Sequence, residues 1–305
     1  MPRDPATDRL SRRQALGTAV VALASAGVAQ GSDPAPPAQV RRYRNVQLSL
    51  AAYSRRQDLE AGRMDLFGFI DWCAQLDVAG VELTSYYFRK DFDAAYLRQL
   101  RRHAFSRGLT VSGTAIRNNF CLPPGAQKDR EVAQVKQWID RAAELFAPHV
   151  RIFAGEVPPG ADRAEAIGWV AEGIRAVLPA AEQRGVVLGL ENHGGITARA
   201  ADLLAICDRV GADPWFGINL DTGNFRTGAY EELAAAAPRA VNVQLKVDIV
   251  GENGQSQEVD LQRIRAILEK AGYRGWIALE YEGRADPVEA IPMWIARMKR
   301  TFGVL

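Results

Sequence analysis

The sequence is poor in cysteine, a residue that marks disulfide frameworks and many zinc sites. It contains three cysteines, Cys73, Cys121 and Cys207, and no C-x-x-C spacing. An odd number without that spacing indicates neither a disulfide framework nor a cysteine zinc site. Cys73 and Cys207 fall within helical patterns, so we expect them in the core, whereas Cys121 directly follows a predicted strand.

A large excess of either charge is also absent. The 305 residues include 38 basic and 36 acidic side chains, for a net charge of +2. This balance argues against a nucleic-acid binder that relies on bulk positive charge, and it gives no reason to expect binding to a membrane surface. We therefore expect no nucleic-acid partner and no stable membrane anchor.

The sequence lacks a long apolar run. A mildly apolar stretch, Ala15–Ala29, is too short to span a bilayer comfortably. It follows Ser11-Arg12-Arg13-Gln14-Ala15-Leu16, which resembles the twin-arginine export signal, although a chance Arg-Arg pair in an ordinary disordered N-terminus is the alternative. We predict a signal peptide over 1–30, a linker over 31–42, a barrel domain over 43–305 and export to the periplasm.

Short strand patterns alternate with helical patterns along the rest of the chain. Strands are predicted over 46–52, 80–84, 108–115 and 150–154 and within 186–195, 216–225, 240–248 and 276–283. Helices are predicted over 64–78, 94–106, 131–146, 164–183, 198–210, 230–236, 261–271 and 287–301. Eight strand–helix units in about 260 residues match a single-domain (β/α)₈ TIM barrel. A doubly wound open sheet is the rival, but no G-x-G-x-x-G turn follows the first strand.

The last four strands decide for the barrel, because each becomes polar on one face towards its end. Side chains alternate between the two faces of a strand, so Glu191, Asp221, Gln244 and Glu280 share the face opposite the apolar residues. Carboxylates are rarely buried unless they are paired or bind a metal. Oxygen-only donors favour Mn²⁺ or Mg²⁺, with Co²⁺ and Zn²⁺ as alternatives. The pattern predicts one divalent-metal site at the carboxyl ends of the strands.

At these motifs the chain resembles the xylose-isomerase-like superfamily, in its sugar phosphate isomerase and epimerase branch. The resemblance covers about residues 46–305 and rests on four segments, E-N-H-G-G (191–195), N-L-D-T-G-N (219–224), Q-L-K (244–246) and L-E-Y-E (279–282). It implies metal ligation by Glu191, Asp221 and Glu280, with Gln244 standing where the family usually has histidine.

The resemblance also implies a reaction and roles for the site residues. A sugar or sugar derivative would be isomerised or epimerised through an enediolate, with the metal polarising a carbonyl. Glu191 and Glu280 would remove and return the proton. His193 would act as an acid/base or bind a hydroxyl, and Lys246 would steady the developing oxyanion.

Further residues are weaker candidates for substrate contact, and their positions next to strand ends are the reason to consider them: Arg117, Glu156, Asn224 and Glu282. Tyr53 is expected to form a wall or to serve in packing. The polar segment 248–259 is expected to be a solvated loop or a lid.

Three other functions remain open at this stage. A metal-dependent lyase or hydrolase acting on oxidised (3-keto) glycosides would use the same proton abstraction. A non-catalytic exported sugar-binding protein is allowed by the change from histidine to Gln244. An apurinic endonuclease would share the barrel, but it would need a histidine-rich zinc site, and the chain has only His103, His149 and His193.

Overall fold

The structure, a computed structural model, describes residues 46–304. Eight parallel strands form a closed barrel in the order β1-β10-β7-β6-β5-β4-β3-β2. The barrel strands are β1 (Val46–Ala51), β2 (Gly80–Thr84), β3 (Thr110–Ala115), β4 (His149–Ile152), β5 (Val187–Glu191), β6 (Phe216–Asp221), β7 (Ala240–Leu245) and β10 (Gly275–Leu279). The TIM barrel predicted from the sequence is confirmed.

Helices follow the strands and cover the outside of the barrel. They are α1 (Arg56–Glu60), α2 (Leu66–Cys73), α3 (Ala94–Ser106), α4 (Ala126–Leu145), α5 (Arg163–Arg184), α6 (Ala200–Val210), α7 (Ala229–Ala236), α8 (Leu261–Lys270) and α9 (Pro287–Phe302). Several begin at an aspartate whose carboxylate accepts a backbone hydrogen bond, as Asp93 does from Tyr96 and Asp260 does from Gln262.

Closure of the barrel is set by strand β1, which pairs on both sides. Its Val46 stands opposite Gly275 of β10, and its Ser49 stands opposite Gly80 of β2. The pairing places all eight carboxyl ends at one end of the barrel, where the side chains of different strands can meet.

The two faces of the strands have different partners. The outward face packs against the helices through fully or almost fully buried aliphatic side chains, among them Val81, Leu83, Val150, Leu188, Leu190, Ile218, Leu220, Val243 and Leu245. The inward face carries polar side chains that are equally buried, among them Glu82, Arg151, Asn219, Asn242 and Gln244. The interior of this barrel is therefore a polar network, and the apolar core lies between the strands and the helices.

Local boundaries differ from the sequence predictions at a few places. The segment 248–259, predicted as a loop or a lid, contains an antiparallel hairpin, β8 (Asp248–Val250) paired with β9 (Ser256–Glu258). Helix α4 begins at Ala126 rather than at residue 131, and α1 was not predicted because it has only five residues. The three cysteines are buried and free.

The predicted signal peptide, its linker and the first residues assigned to the barrel lie outside the described residues. Within residues 46–304, none of the helices combines the length and apolar character that a bilayer span requires.

Candidate active site

Three carboxylates from separate strands meet at the carboxyl end of the barrel. Glu191 and Asp221 are the last residues of β5 and β6, and Glu280 directly follows β10. All three side chains lie below the barrel rim, with residue exposures of 3%, 0% and 6%. The three carboxylates that strand parity predicts on one face therefore lie inside the barrel, at the ends of β5, β6 and β10.

Asp221 is held in place by the end of the adjacent strand. Its backbone N–H donates to Oδ1 of Asn192 at 2.9 Å, and its carbonyl accepts from Nδ2 of Asn192 at 2.8 Å. Oδ1 of Asp221 accepts from the backbone N–H of Gly223 at 2.8 Å. Oδ2 is buried and accepts no hydrogen bond from the described residues. One oxygen is thus fixed by the backbone, and the other faces the shared site.

Lys246 brings a positive charge into this group of carboxylates. Its Nζ lies 3.4 Å from Oδ2 of Asp221 and 3.4 Å from Oε2 of Glu280, and it forms an ion pair with Oε1 of Glu282. The ammonium also lies 5.8 Å from the centre of the Tyr53 ring. Lys246, Glu282 and Tyr53 therefore lie next to the strand-end carboxylates.

Glu191 has a different cationic partner, which the sequence reasoning did not identify. Nε of Arg151, on β4, lies 2.8 Å from Oε2 of Glu191, and the two side chains are 5% and 4% exposed. Oε1 of Glu191 accepts from Nδ2 of Asn224 at 3.0 Å. Strand parity could have identified Arg151. In β4 it shares the inward face with His149, whereas Val150 and Ile152 lie on the outward face.

Gln244 lies deeper in the barrel and is bonded on both sides. Its Nε2 donates to Oε1 of Glu82 at 2.6 Å, and its Oε1 accepts from Nδ2 of Asn219 at 2.6 Å. Asn242 completes the network by donating to Oδ1 of Asn219 at 2.8 Å and to Oε2 of Glu82 at 3.2 Å. Glu82 is a fourth buried carboxylate, and burial together with the charge of Glu280 raises its pKa to about 7.

Burial and mutual repulsion make it unfavourable for these carboxylates to be ionised together without a cation. Burial raises the pKa of Glu191 well above its usual range, with Asp221 and Glu280 adding to the effect and Arg151 opposing it. Burial also raises the pKa of Asp221, and here Lys246 opposes the shift. Clustered, desolvated carboxylates of this kind favour the presence of cations.

The weaker candidates lie around the mouth of the site. His193 is exposed at the rim and packs on Phe153, with ring centres 4.2 Å apart. Partial burial and the positive charges of Arg151 and Lys246 lower the pKa of His193 to about 4, so its imidazole is neutral at neutral pH. The Arg117 guanidinium lies 4.8 Å from the centre of the Tyr86 ring.

Glu156 is exposed and does not reach the carboxylate group. It lies beside Gly195, where an added Cβ would stand 2.9 Å from its Cδ. Gly195 has a φ of +52°, so this turn after β5 depends on glycine both for its backbone conformation and for the close approach of the Gly155 carbonyl oxygen, which an added Cβ would overlap.

The oxygen atoms of the three carboxylates are chemically suited to bind a divalent cation. In this structure two of the carboxylates, Asp221 and Glu280, instead contact the ammonium of Lys246. Oδ2 of Asp221, which accepts no hydrogen bond from the described residues, and the carboxylates of Glu191 and Glu280 are hard oxygen donors of the kind that Mn²⁺ and Mg²⁺ prefer. Across residues 46–304, however, His, Cys, Asp and Glu side chains form no cluster of three or more that could hold a metal ion as they stand.

Comparison with known proteins gives the family. Residues 70–300 match the xylose isomerase-like TIM barrel family. The chain belongs to that family. The closed barrel of the structure is the fold that this family name describes.

Individual relatives are more distant. A "Putative hydroxypyruvate isomerase" of Mus musculus is 29% identical over 191 residues, which cover 55% of this chain and 66% of that protein, just under two thirds of its length. A D-psicose 3-epimerase from Clostridium cellulolyticum H10, solved with D-tagatose, aligns with a TM-score of 0.66 at 15% identity, covering 84% of this chain and 95% of that one. A xylose isomerase domain protein from Planctomyces limnophilus aligns with a TM-score of 0.64 at 17% identity, covering 87% and 100%. At these identities the solved structures support the fold.

Proposed function

We propose that this protein is a divalent-metal-dependent isomerase or epimerase of a sugar or sugar derivative. The observation that carries the proposal is the convergence of Glu191, Asp221 and Glu280, three buried carboxylates from three strands, at the carboxyl end of the barrel. Relatives described as a hydroxypyruvate isomerase and as sugar epimerases support this reaction class.

The three carboxylates would hold the metal ion, with Mn²⁺ or Mg²⁺ as the expected ion. Gln244 is the proposed fourth ligand, because a carbonyl oxygen has two lone pairs and Asn219 uses one of them. When bound, the ion would polarise a substrate carbonyl and so acidify the adjacent C–H group.

Proton transfer is assigned to the two glutamates. Glu191 and Glu280 come from different strands, so they can address a substrate carbon from different sides. Arg151 orients Glu191 through the contact at 2.8 Å, and Asn224 fixes the other oxygen of the same carboxylate. A carboxylate held in one orientation is prepared to accept a proton at one position.

The rim residues would bind the remainder of the substrate. The neutral imidazole of His193 can donate to or accept from a sugar hydroxyl, and one side of the ring is in tilted contact with Phe153. Lys246 would place its ammonium near a developing oxyanion. Arg117 lines a cavity of about 530 Å³ together with Tyr86 and Gln134.

The second candidate is cleavage of oxidised (3-keto) glycosides, for which the same buried carboxylates would supply the base. Both reactions begin with removal of a proton next to a carbonyl. We further propose that the protein acts after twin-arginine export in the periplasm, on the basis of Arg12 and Arg13.

The proposal is tested by incubating purified protein, loaded separately with Mn²⁺ and Mg²⁺, with a panel of free ketoses and a panel of 3-keto-glycosides. Isomerisation or epimerisation is supported if the protein converts a ketose, and if this conversion is lost when the metal ion is removed by a chelator and in a Glu280→Gln variant. Release of the aglycone with no change in free sugars overturns it in favour of the second candidate. Turnover that persists in Glu280→Gln contradicts both.

A further inference from the structure

The ammonium of Lys246 occupies a position between two carboxylates that the proposed function assigns to a metal ion. Its Nζ is equidistant, at 3.4 Å, from Oδ2 of Asp221 and Oε2 of Glu280. Oδ2 is also the oxygen of Asp221 that accepts no hydrogen bond from the described residues. A divalent ion bound to these same oxygens would stand about 2.0–2.2 Å from them, and an ammonium cannot share that space.

The third partner of Lys246 differs from the other two in its surroundings. The Glu282 side chain is 39% exposed, whereas those of Asp221 and Glu280 are 0% and 8% exposed. The Lys246 side chain is attached just beyond the end of β7, and a movement towards the rim would keep its ion pair with Glu282. The two deeper carboxylates would then be free, and the ammonium would keep one ion pair at the rim.

We propose that Lys246 is an internal counter-cation: it neutralises the Asp221–Glu280 pair in the metal-free protein and must move away from that pair, keeping its ion pair with Glu282, before a divalent ion binds. The inference rests on the proposed function for the location of the metal. It makes metal binding an exchange of cations, and it explains why the carboxylates of the described chain are spaced around an ammonium rather than in a ready ligand set.

Direct measurement of Mn²⁺ binding at one fixed pH tests the exchange, by isothermal titration and by the electron paramagnetic resonance signal of free Mn²⁺, without any substrate. Lys246→Met keeps the length of the side chain and removes its charge. We expect this variant to bind Mn²⁺ at least about tenfold more tightly than the wild type, which corresponds to about 1.4 kcal/mol. Equal or weaker binding overturns the proposal.

A control shows whether removal of any positive charge near the mouth of the site changes the Mn²⁺ affinity. Arg117→Met removes a positive charge at the mouth that lies over Tyr86 and touches none of the proposed ligands. We expect its Mn²⁺ affinity to change less than about threefold, because an exposed charge is screened. A change as large as that of Lys246→Met would show that the effect is only electrostatic, and it would overturn the proposal.

The role of Glu282 is tested by a double-mutant cycle. Glu282→Gln removes the outer partner of the displaced ammonium, so we expect weaker Mn²⁺ binding in the wild-type background. In the Lys246→Met background the same change should have almost no effect on Mn²⁺ affinity, because no ammonium is present for Glu282 to pair with. Equal effects in both backgrounds contradict the outward movement.

The outcome for this inference can be told apart from that for the proposed function. Tighter binding in Lys246→Met with no turnover of any sugar leaves the exchange intact and removes the catalytic proposal. Metal-dependent turnover with unchanged affinity in Lys246→Met removes the exchange alone. Absence of Mn²⁺ binding in both the wild type and Lys246→Met overturns the exchange and the metal dependence together.

Discussion

Nε of Arg151 lies 2.8 Å from Oε2 of Glu191, in a part of the barrel where neither side chain is more than 5% exposed. The same guanidinium donates from Nη1 to the carbonyl of Ile116 at 2.6 Å, and it stacks on Phe153 at 3.9 Å. Arg151 therefore joins three neighbouring parts of the barrel to the carboxylate that we assign to proton transfer. Removing one member of a buried ion pair leaves the other charge without a partner.

Arg151→Met is expected to lower the free energy of unfolding by about 3–5 kcal/mol, because Glu191 would remain buried without its cation. Urea denaturation at pH 7 measures the change. Arg151→Met combined with Glu191→Gln should recover part of the loss, since the uncompensated charge is gone. A single variant within about 0.5 kcal/mol of the wild type would contradict the structural role of the pair.

Gln244→Met is expected to destabilise the protein by about 2–4 kcal/mol, because Glu82 and Asn219 each lose a buried hydrogen-bond partner. Gln255→Met is the matched control, since Gln255 is exposed in the turn between β8 and β9. We expect the control to lie within about 0.5 kcal/mol of the wild type. Equal effects of the two substitutions in chemical denaturation would show that the interior network is not formed.

His149 should make the protein sensitive to acid. Complete burial, with a smaller contribution from Arg151, lowers the pKa of His149 to about 3, and neither ring nitrogen has a hydrogen-bond partner among the described residues. The unfolded chain takes up a proton near the ordinary pKa of about 6.5, whereas the folded chain does not until about pH 3. Stability should therefore fall as the pH decreases from about 6.5 towards 3.

The size of this effect can be isolated with His149→Leu. Between pH 7 and pH 5 the wild type should lose about 2 kcal/mol more unfolding free energy than the variant, since each pKa unit is worth about 1.4 kcal/mol. Urea titrations at the two pH values give the comparison. Parallel losses in both proteins would mean that His149 is not buried in its neutral form.

Gly189→Ala is expected to destabilise the barrel, because a Cβ at this position of β5 would overlap Nε2 of His149 and approach Cβ of Asn219 at 3.0 Å. Overpacking of this kind costs about 1–3 kcal/mol. Combination with His149→Ala should make the cost of the alanine smaller than in the wild-type background. Gly68→Ala, where the nearest atoms lie at 3.5 Å, is the matched control and should be neutral or slightly stabilising.

Strand parity and the alternation of strands with helices predicted the fold and the side chains that point into the barrel. Alternation along β5, β6 and β7 placed Glu191, Asp221 and Gln244 on the inward face, and the structure has all three there. The same argument applied to β2 and β4 would have found Glu82 and Arg151, which also lie on polar inward faces of short strands. Glu82 and Arg151 lie inside β2 and β4, so they are not part of the polar segments that follow the strand ends.

Other features depend on distances that no sequence pattern contains. The position of the Lys246 ammonium between Asp221 and Glu280 is set by the curvature of the barrel and by side-chain rotamers. The bonding of Gln244 to Glu82 joins residues 162 positions apart. Parity places both side chains inside the barrel, but it does not say which partner each one selects.

The most direct test of the account is hydrogen exchange between solvent and substrate. Mn²⁺-loaded protein is incubated in D₂O with each ketose that it converts, and deuterium at the carbon next to the carbonyl is followed by NMR. The account predicts deuterium uptake in the wild type, with at least about a hundredfold slower uptake in Glu191→Gln and in Glu280→Gln. Conversion without any deuterium uptake, or uptake at the wild-type rate in both variants, would contradict proton transfer by these two carboxylates.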